Sequence, residues 1–104
     1  MKYDVEYTEF SEADLKSLDG SVTNVVLKLI DRVSENPLSK SKGGYGEPLG
    51  NKKNTDLTGY YKIKLRKYGI RVVYKLVIEN NVMKIIVIAA RADDEVYKIA
   101  SMRK

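Results

Sequence analysis

The chain has 104 residues, 43% hydrophobic and 32% charged, the balance of a single soluble globular domain with one hydrophobic core. It contains no Cys, no His and no Trp, which removes disulfides, thiol nucleophiles, Ser-His-Asp relays and Cys- or His-ligated metals, and leaves Lys, Tyr, Arg and carboxylates for proton transfer near neutral pH. The net charge of +5 is unevenly spread: residues 1–51 carry six Lys and Arg against nine Asp and Glu, a net of −3, and residues 52–104 carry thirteen against five, a net of +8.

Residues 3–7 alternate Tyr3, Val5 and Tyr7 with Asp4 and Glu6, the period of a half-buried strand. That early polarity leaves no apolar leader segment, and no apolar run approaches the ~20 residues of a membrane helix, so a cytoplasmic protein with no membrane partner is expected. Ser11 reads as the N-cap of a short helix ending at Gly20, and Ser21 as the cap of a second. The second helix carries Val22, Val25, Val26, Leu29, Ile30 and Val33 as an apolar stripe and stops at Asn36-Pro37. Residues 38–58, with Gly43, Gly44, Gly46, Pro48 and Gly50, are predicted as a long Gly-rich surface loop. The glycines match neither a P-loop nor a dinucleotide fingerprint.

From Tyr60 the pattern is that of strands. Residues 60–66 alternate, placing Tyr61, Ile63 and Leu65 toward a core and Lys62, Lys64 and Arg66 on the other face, the two lysines ~7 Å apart. Lys67-Tyr68-Gly69 forms a turn into a strand over 70–78, with Arg71, Val73 and Lys75 on one face. Asn80-Asn81 is a hairpin turn, and 82–90 is apolar enough to be a strand covered on both faces. Residues 91–104 form a short helix or tail. The expected order is β-α-α-β-β-β plus that tail: an α+β fold with an N-terminal strand and a helical hairpin packed on one face of a mainly antiparallel sheet. Lysines and arginines on the other face suit a polyanion such as nucleic acid, or form a solvated face without a specific ligand. Crowded cations also disfavour one another's protonation, so one lysine there is a candidate base with a depressed pKa.

The run Tyr61-Lys62-Ile63-Lys64-Leu65-Arg66, then Gly69-Ile70-Arg71-Val72-Val73-Tyr74, then Arg91 and Glu95-Val96-Tyr97, resembles the RelE family of bacterial toxins. The resemblance follows the element order along the whole chain and is sharpest from Gly59 to Tyr97. It implies a RelE-like fold, a cognate antitoxin protein as partner, and cleavage of mRNA in the ribosomal A site without metal or other cofactor. The ribose 2′-hydroxyl attacks the adjacent phosphate in that reaction. By the same resemblance Lys62 and Lys64 are the paired site lysines, Arg71 contacts the scissile phosphate, Arg91 lies near the leaving group and Tyr97 near the nucleophilic hydroxyl. Arg66, Lys67 and Lys75 are expected to bind RNA. The base remains open among Lys62, Lys64 and Tyr97, and Arg91, with a pKa above ~12, suits charge stabilisation better than proton donation. Two alternatives stand beside this reading: a ParE-like toxin that inhibits gyrase, and an inert relative that only binds RNA or a partner.

Overall fold

Alternation and capping are visible directly in the computed structural model, which describes residues 2–52 and 55–104. The elements are β1 (Asp4–Tyr7), α1 (Glu9–Lys16), α2 (Gly20–Ser34), β2 (Glu47–Lys52), β3 (Thr55–Leu65), β4 (Ile70–Val77), β5 (Val82–Ala89) and α3 (Asp93–Met102). The strands form one sheet in the order β1-β5-β4-β3-β2. All neighbours run antiparallel except β1 beside β5. The α+β architecture, with its helical pair against a mainly antiparallel sheet, is the one expected.

Three boundaries differ from expectation, each for a local reason. Helix α1 is capped by Thr8 rather than Ser11: the Thr8 hydroxyl accepts from Ser11 N, and Ser11 Oγ accepts from Thr8 N, a reciprocal box that Ser11 closes from inside the helix. That helix ends at Lys16, and Asp19 caps α2, whose first residue is Gly20. The third difference is the largest. Residues 38–58 are not one loop, because Glu47–Lys52 form β2 and Thr55 already begins β3; Lys53 and Asn54 lie outside the described residues. Pro48 is compatible with a strand here because β2 is an edge, and the register shifts between Pro48 and Gly50. The stretch before β2 is also held, by Tyr45 N to Asn36 O and Gly46 N to Leu38 O, each 3.0 Å. At Gly46 a Cβ would come within 2.2 Å of the Tyr74 hydroxyl, so only glycine fits.

The stripe on α2 buries Val26, Ile30 and Val33 against Ile63, Val72, Tyr74, Met83 and Ile85. Tyr74 stacks on Tyr61 across the β3–β4 pair, ring centroids 5.5 Å apart, and donates its hydroxyl to Pro37 O at 2.7 Å. The opposite face carries a second, smaller core in which α3 sets Val96 and Ala100 on Leu57, Tyr60, Val73, Ile86 and Val87. The alternation placed the cations on that face, and the apolar run 82–90 called for cover on both faces; α3 supplies the cover on this one. Strand β5 fits between both cores because a register shift opposite Val73 and Tyr74 turns Ile86 and Val87 to the same side.

Strand β1 pairs β5 only as far as Tyr7 opposite Ile85. Beyond it the edge of β5 is met by side chains. Asp14 Oδ2 accepts from Ile88 N at 3.0 Å, and Arg103 Nη1 donates to Ile86 O at 2.9 Å. Arg103 also grips both oxygens of Asp14, at 2.7 and 3.2 Å, and lies 5.1 Å from the Phe10 ring. This clasp ties the end of α3 to α1. Among the described residues no helix is long and apolar enough to cross a membrane.

Candidate active site

The period of β3 turns Lys62 and Lys64 to the α3 side of the sheet, and the register sets Arg71 of β4 directly opposite Lys64. Like charges in that position repel. Helix α3 supplies the counter-charge: with Val96 and Ala100 anchored in the smaller core, Asp93 and Tyr97, four residues apart on one face, are brought over the strands. Asp93 Oδ1 accepts a short hydrogen bond from Arg71 Nε. Its Oδ2 lies 3.4 Å from Lys62 Nζ and 3.6 Å from Lys64 Nζ. Lys62 Nζ also donates to the Tyr97 hydroxyl at 2.8 Å, lies 5.5 Å from the centre of that ring, and is 3.7 Å from Glu47, its cross-strand partner on β2. Arg71 Nη1 donates to the Arg91 carbonyl at 2.6 Å, which fixes the turn leading into α3. One carboxylate therefore stands at the focus of two ammonium groups and a guanidinium, an arrangement that would equally receive a phosphate.

The electrostatics differ from the sequence expectation at Lys62. This lysine is only 6% exposed. Burial pulls its pKa down, but the Tyr97 hydrogen bond and the nearby Tyr97, Asp93 and Glu47 groups outweigh it, and the net direction is upward. Crowding among cations does not depress Lys62, because the Tyr97 hydroxyl and then the Asp93 and Glu47 carboxylates surround it. Partial burial works to raise the Asp93 carboxyl, yet the Arg71 hydrogen bond and the charges of Lys62, Arg71 and Lys64 hold it below the usual carboxylate range. Glu47 is displaced the same way: burial raises it, and the hydrogen bond from Lys40 with the charges of Lys62, Lys40 and Lys64 more than reverses that.

Of the residues singled out from the sequence, Lys62, Lys64, Arg71 and Tyr97 converge. The Arg91 side chain does not join them: it is exposed and pairs with Glu95, one turn into α3, at 3.2 Å. Arg66 follows β3 in a short 3-10 turn (Arg66–Tyr68) and lines, with Arg32, Lys40, Tyr45, Glu47 and Lys64, an open groove of about 190 Å³ between α2 and β3. Lys67 leaves that turn into solvent beside Tyr68, 5.8 Å from its ring. Lys75 sits four residues along β4 from Arg71, packed over Tyr60 at 5.7 Å and outside the cluster. Sequence reasoning missed Asp93 and Glu47. The available signal was Asp93-Asp94-Glu95, three of the five acids in the basic half, at the start of a helix.

No protein-family model matches the chain. A RelE-like toxin protein of Escherichia coli is 27% identical over 103 residues, covering 99% of this chain and 98% of that protein. Among solved structures, an arginine double mutant of E. coli toxin RelE in the free state superposes with a TM-score of 0.78 at 27% identity, covering 99% of this chain and 98% of the other. The intact E. coli RelBE toxin–antitoxin complex matches with a TM-score of 0.65 at 26% identity, over 86% of this chain and 98% of the matched one. In both sequence and fold, and along nearly its full length, the chain is similar to RelE-type toxins.

Proposed function

We propose that the chain is an endoribonuclease that cuts mRNA held in the ribosomal A site, and that a cognate antitoxin neutralises it. The observation that carries this reading is the convergence of Lys62, Lys64 and Arg71 on a single anion position with the Tyr97 hydroxyl beside it. A phosphodiester placed there receives three positive donors, which stabilise the extra charge of the phosphorane formed when the ribose 2′-hydroxyl attacks. The products are a cyclic phosphate and a free 5′-hydroxyl.

Lys62, held protonated by Tyr97 and by the Asp93 and Glu47 carboxylates, serves charge stabilisation in this scheme. Removal of the 2′-hydroxyl proton falls to Tyr97, or to Lys64 in its neutral form, in which case Lys62 and Arg71 remain as the positive donors. Arg91, exposed on the rim, is free to exchange Glu95 for the leaving oxygen. The groove past Arg66, Lys40 and Tyr45 offers cations for flanking phosphates and an exposed ring for a base. Weak acid–base groups put the burden on substrate positioning, which mRNA clamped on a ribosome supplies. A relative solved as a toxin–antitoxin complex, together with the +8 excess of residues 52–104, supports an antitoxin that presents acidic side chains to this face.

Primer extension on ribosome-bound mRNA tests the reading. Cleavage stops within the A-site codon, dependent on added protein, are expected; full-length products alone would refute it.

A further inference from the structure

Asp93 is the feature that catalysis as proposed does not use. Its two oxygens are engaged by Arg71, Lys62 and Lys64, the same donors that the substrate phosphate requires. Both anions cannot occupy the position together. A carboxylate so surrounded is also a poor base, since its lone pairs are committed to cations.

We infer that Asp93 is an internal competitor for the substrate phosphate, a specificity-determining residue that restricts cleavage to RNA positioned by a larger partner. This inference deepens the proposed nuclease reading and rests on it for the reaction, though not for the anion site itself. A group tethered beside its own binding site competes at an effective concentration of order millimolar or more. Free RNA at lower concentration loses that contest. A phosphate delivered in register by the ribosome has a far higher effective molarity and wins it.

The fold makes the exchange local. Arg71 holds the segment entering α3 at two points, the Asp93 carboxylate and the Arg91 carbonyl, so a phosphate that takes the guanidinium releases both. The helix itself stays docked through Val96, Ala100 and the Arg103–Asp14 pair. Ala92, the residue at the helix N-cap, makes no side-chain capping bond, and the Asp93 side chain is one-third exposed, so the carboxylate has solvent to turn into. Freeing the turn also frees the backbone that carries Arg91, coupling phosphate entry to placement of that arginine.

The test uses Asp93→Asn and Asp93→Glu in the full chain, with inorganic phosphate and a short RNA carrying a 2′-deoxy block as probes. Asp93→Asn is expected to bind each probe at least tenfold more tightly than the parent. It should also raise the ratio of free-RNA to ribosome-bound cleavage at least tenfold, while Asp93→Glu, which keeps the charge, stays near the parent. Unchanged phosphate affinity in a folded Asp93→Asn protein overturns the inference. So does loss of ribosome-bound cleavage with an unchanged ratio, which would make Asp93 a positioning residue instead. Should Asp93→Asn fail to fold, the Arg71 Nε resonance of the parent provides the readout: saturating phosphate must shift it, and an unmoved resonance overturns the inference. Tighter phosphate binding with no cleavage by any variant upholds the competitor and removes the nuclease reading.

Discussion

On one side of the sheet α2 lays Val26, Ile30 and Val33 against Ile63, Val72, Tyr74 and Ile85; on the other, α3 sets Val96 and Ala100 on a smaller apolar patch and, within a turn, Asp93 and Tyr97 on Lys62, Lys64 and Arg71. The same strands serve both faces. Along β3, Tyr61, Ile63 and Leu65 go one way and Tyr60, Lys62 and Lys64 the other. A period of two thus divides stability from chemistry within six consecutive residues, and a slip of one residue would exchange them.

Substitutions on the two faces should therefore separate in what they damage. The largest effect is expected for Arg71→Ala combined with Arg91→Ala, which should lower cleavage of ribosome-bound mRNA by ~10³-fold or more, read by primer extension, with a folded circular-dichroism spectrum retained. Next is Ile85→Ala in the larger core, expected to cost about 2–5 kcal/mol by urea unfolding. Val96→Ala in the smaller core should cost less, about 2 kcal/mol; the reverse order would break the comparison. Tyr74→Phe removes the donor to the Pro37 carbonyl and should cost roughly 1–3 kcal/mol, without altering the cleavage pattern.

A further test sharpens the comparison through pH. The Asp93 carboxyl titrates below its unfolded value, so its stabilisation is complete above about pH 4 and is lost as pH falls through the lower folded value. Lys62 has the opposite sign: its contribution is complete below about pH 10 and is lost as pH rises through its raised folded value. Asp93→Asn should therefore flatten the acid limb of the thermal midpoint against pH, whereas Ile85→Ala should lower the whole curve with little change of shape. The smallest effect is expected for Lys75→Ala, outside the cluster, at under ~1 kcal/mol in either stability or transition-state binding.

The two faces were also unequally legible in the sequence. The apolar face is written twice, as the 3–4 spacing of Val22 to Val33 and as strand alternation, so the helix and strands that bury it follow from local pattern. Lys62, Lys64 and Arg71 were readable as face-mates for the same reason. Strand β2 was not, because Pro48, Gly50 and Asn51 carry loop composition; its strand character comes from pairing with β3 and from burying Leu49, both non-local. Asp93 escaped for a different reason. Acids in the first turn of a helix are ordinarily accounted for by the helix dipole, and a charge tally subtracts them from the basic total. Only the return of α3 across β3 and β4 shows that this acid is matched against particular cations, and that Tyr97, with Asp93 and Glu47 behind it, pushes Lys62 up in pKa rather than down.

The clasp between Asp14 and Arg103 joins residues 89 positions apart. It closes only after nearly every intervening residue has been made, and until then α3 has no fastening to the far edge of β5. During synthesis the strands bearing Lys62, Lys64 and Arg71 therefore leave the ribosome before the helix that bears Tyr97. A half-made chain carries the proposed site in two unjoined pieces, which meet only once α3 has been made.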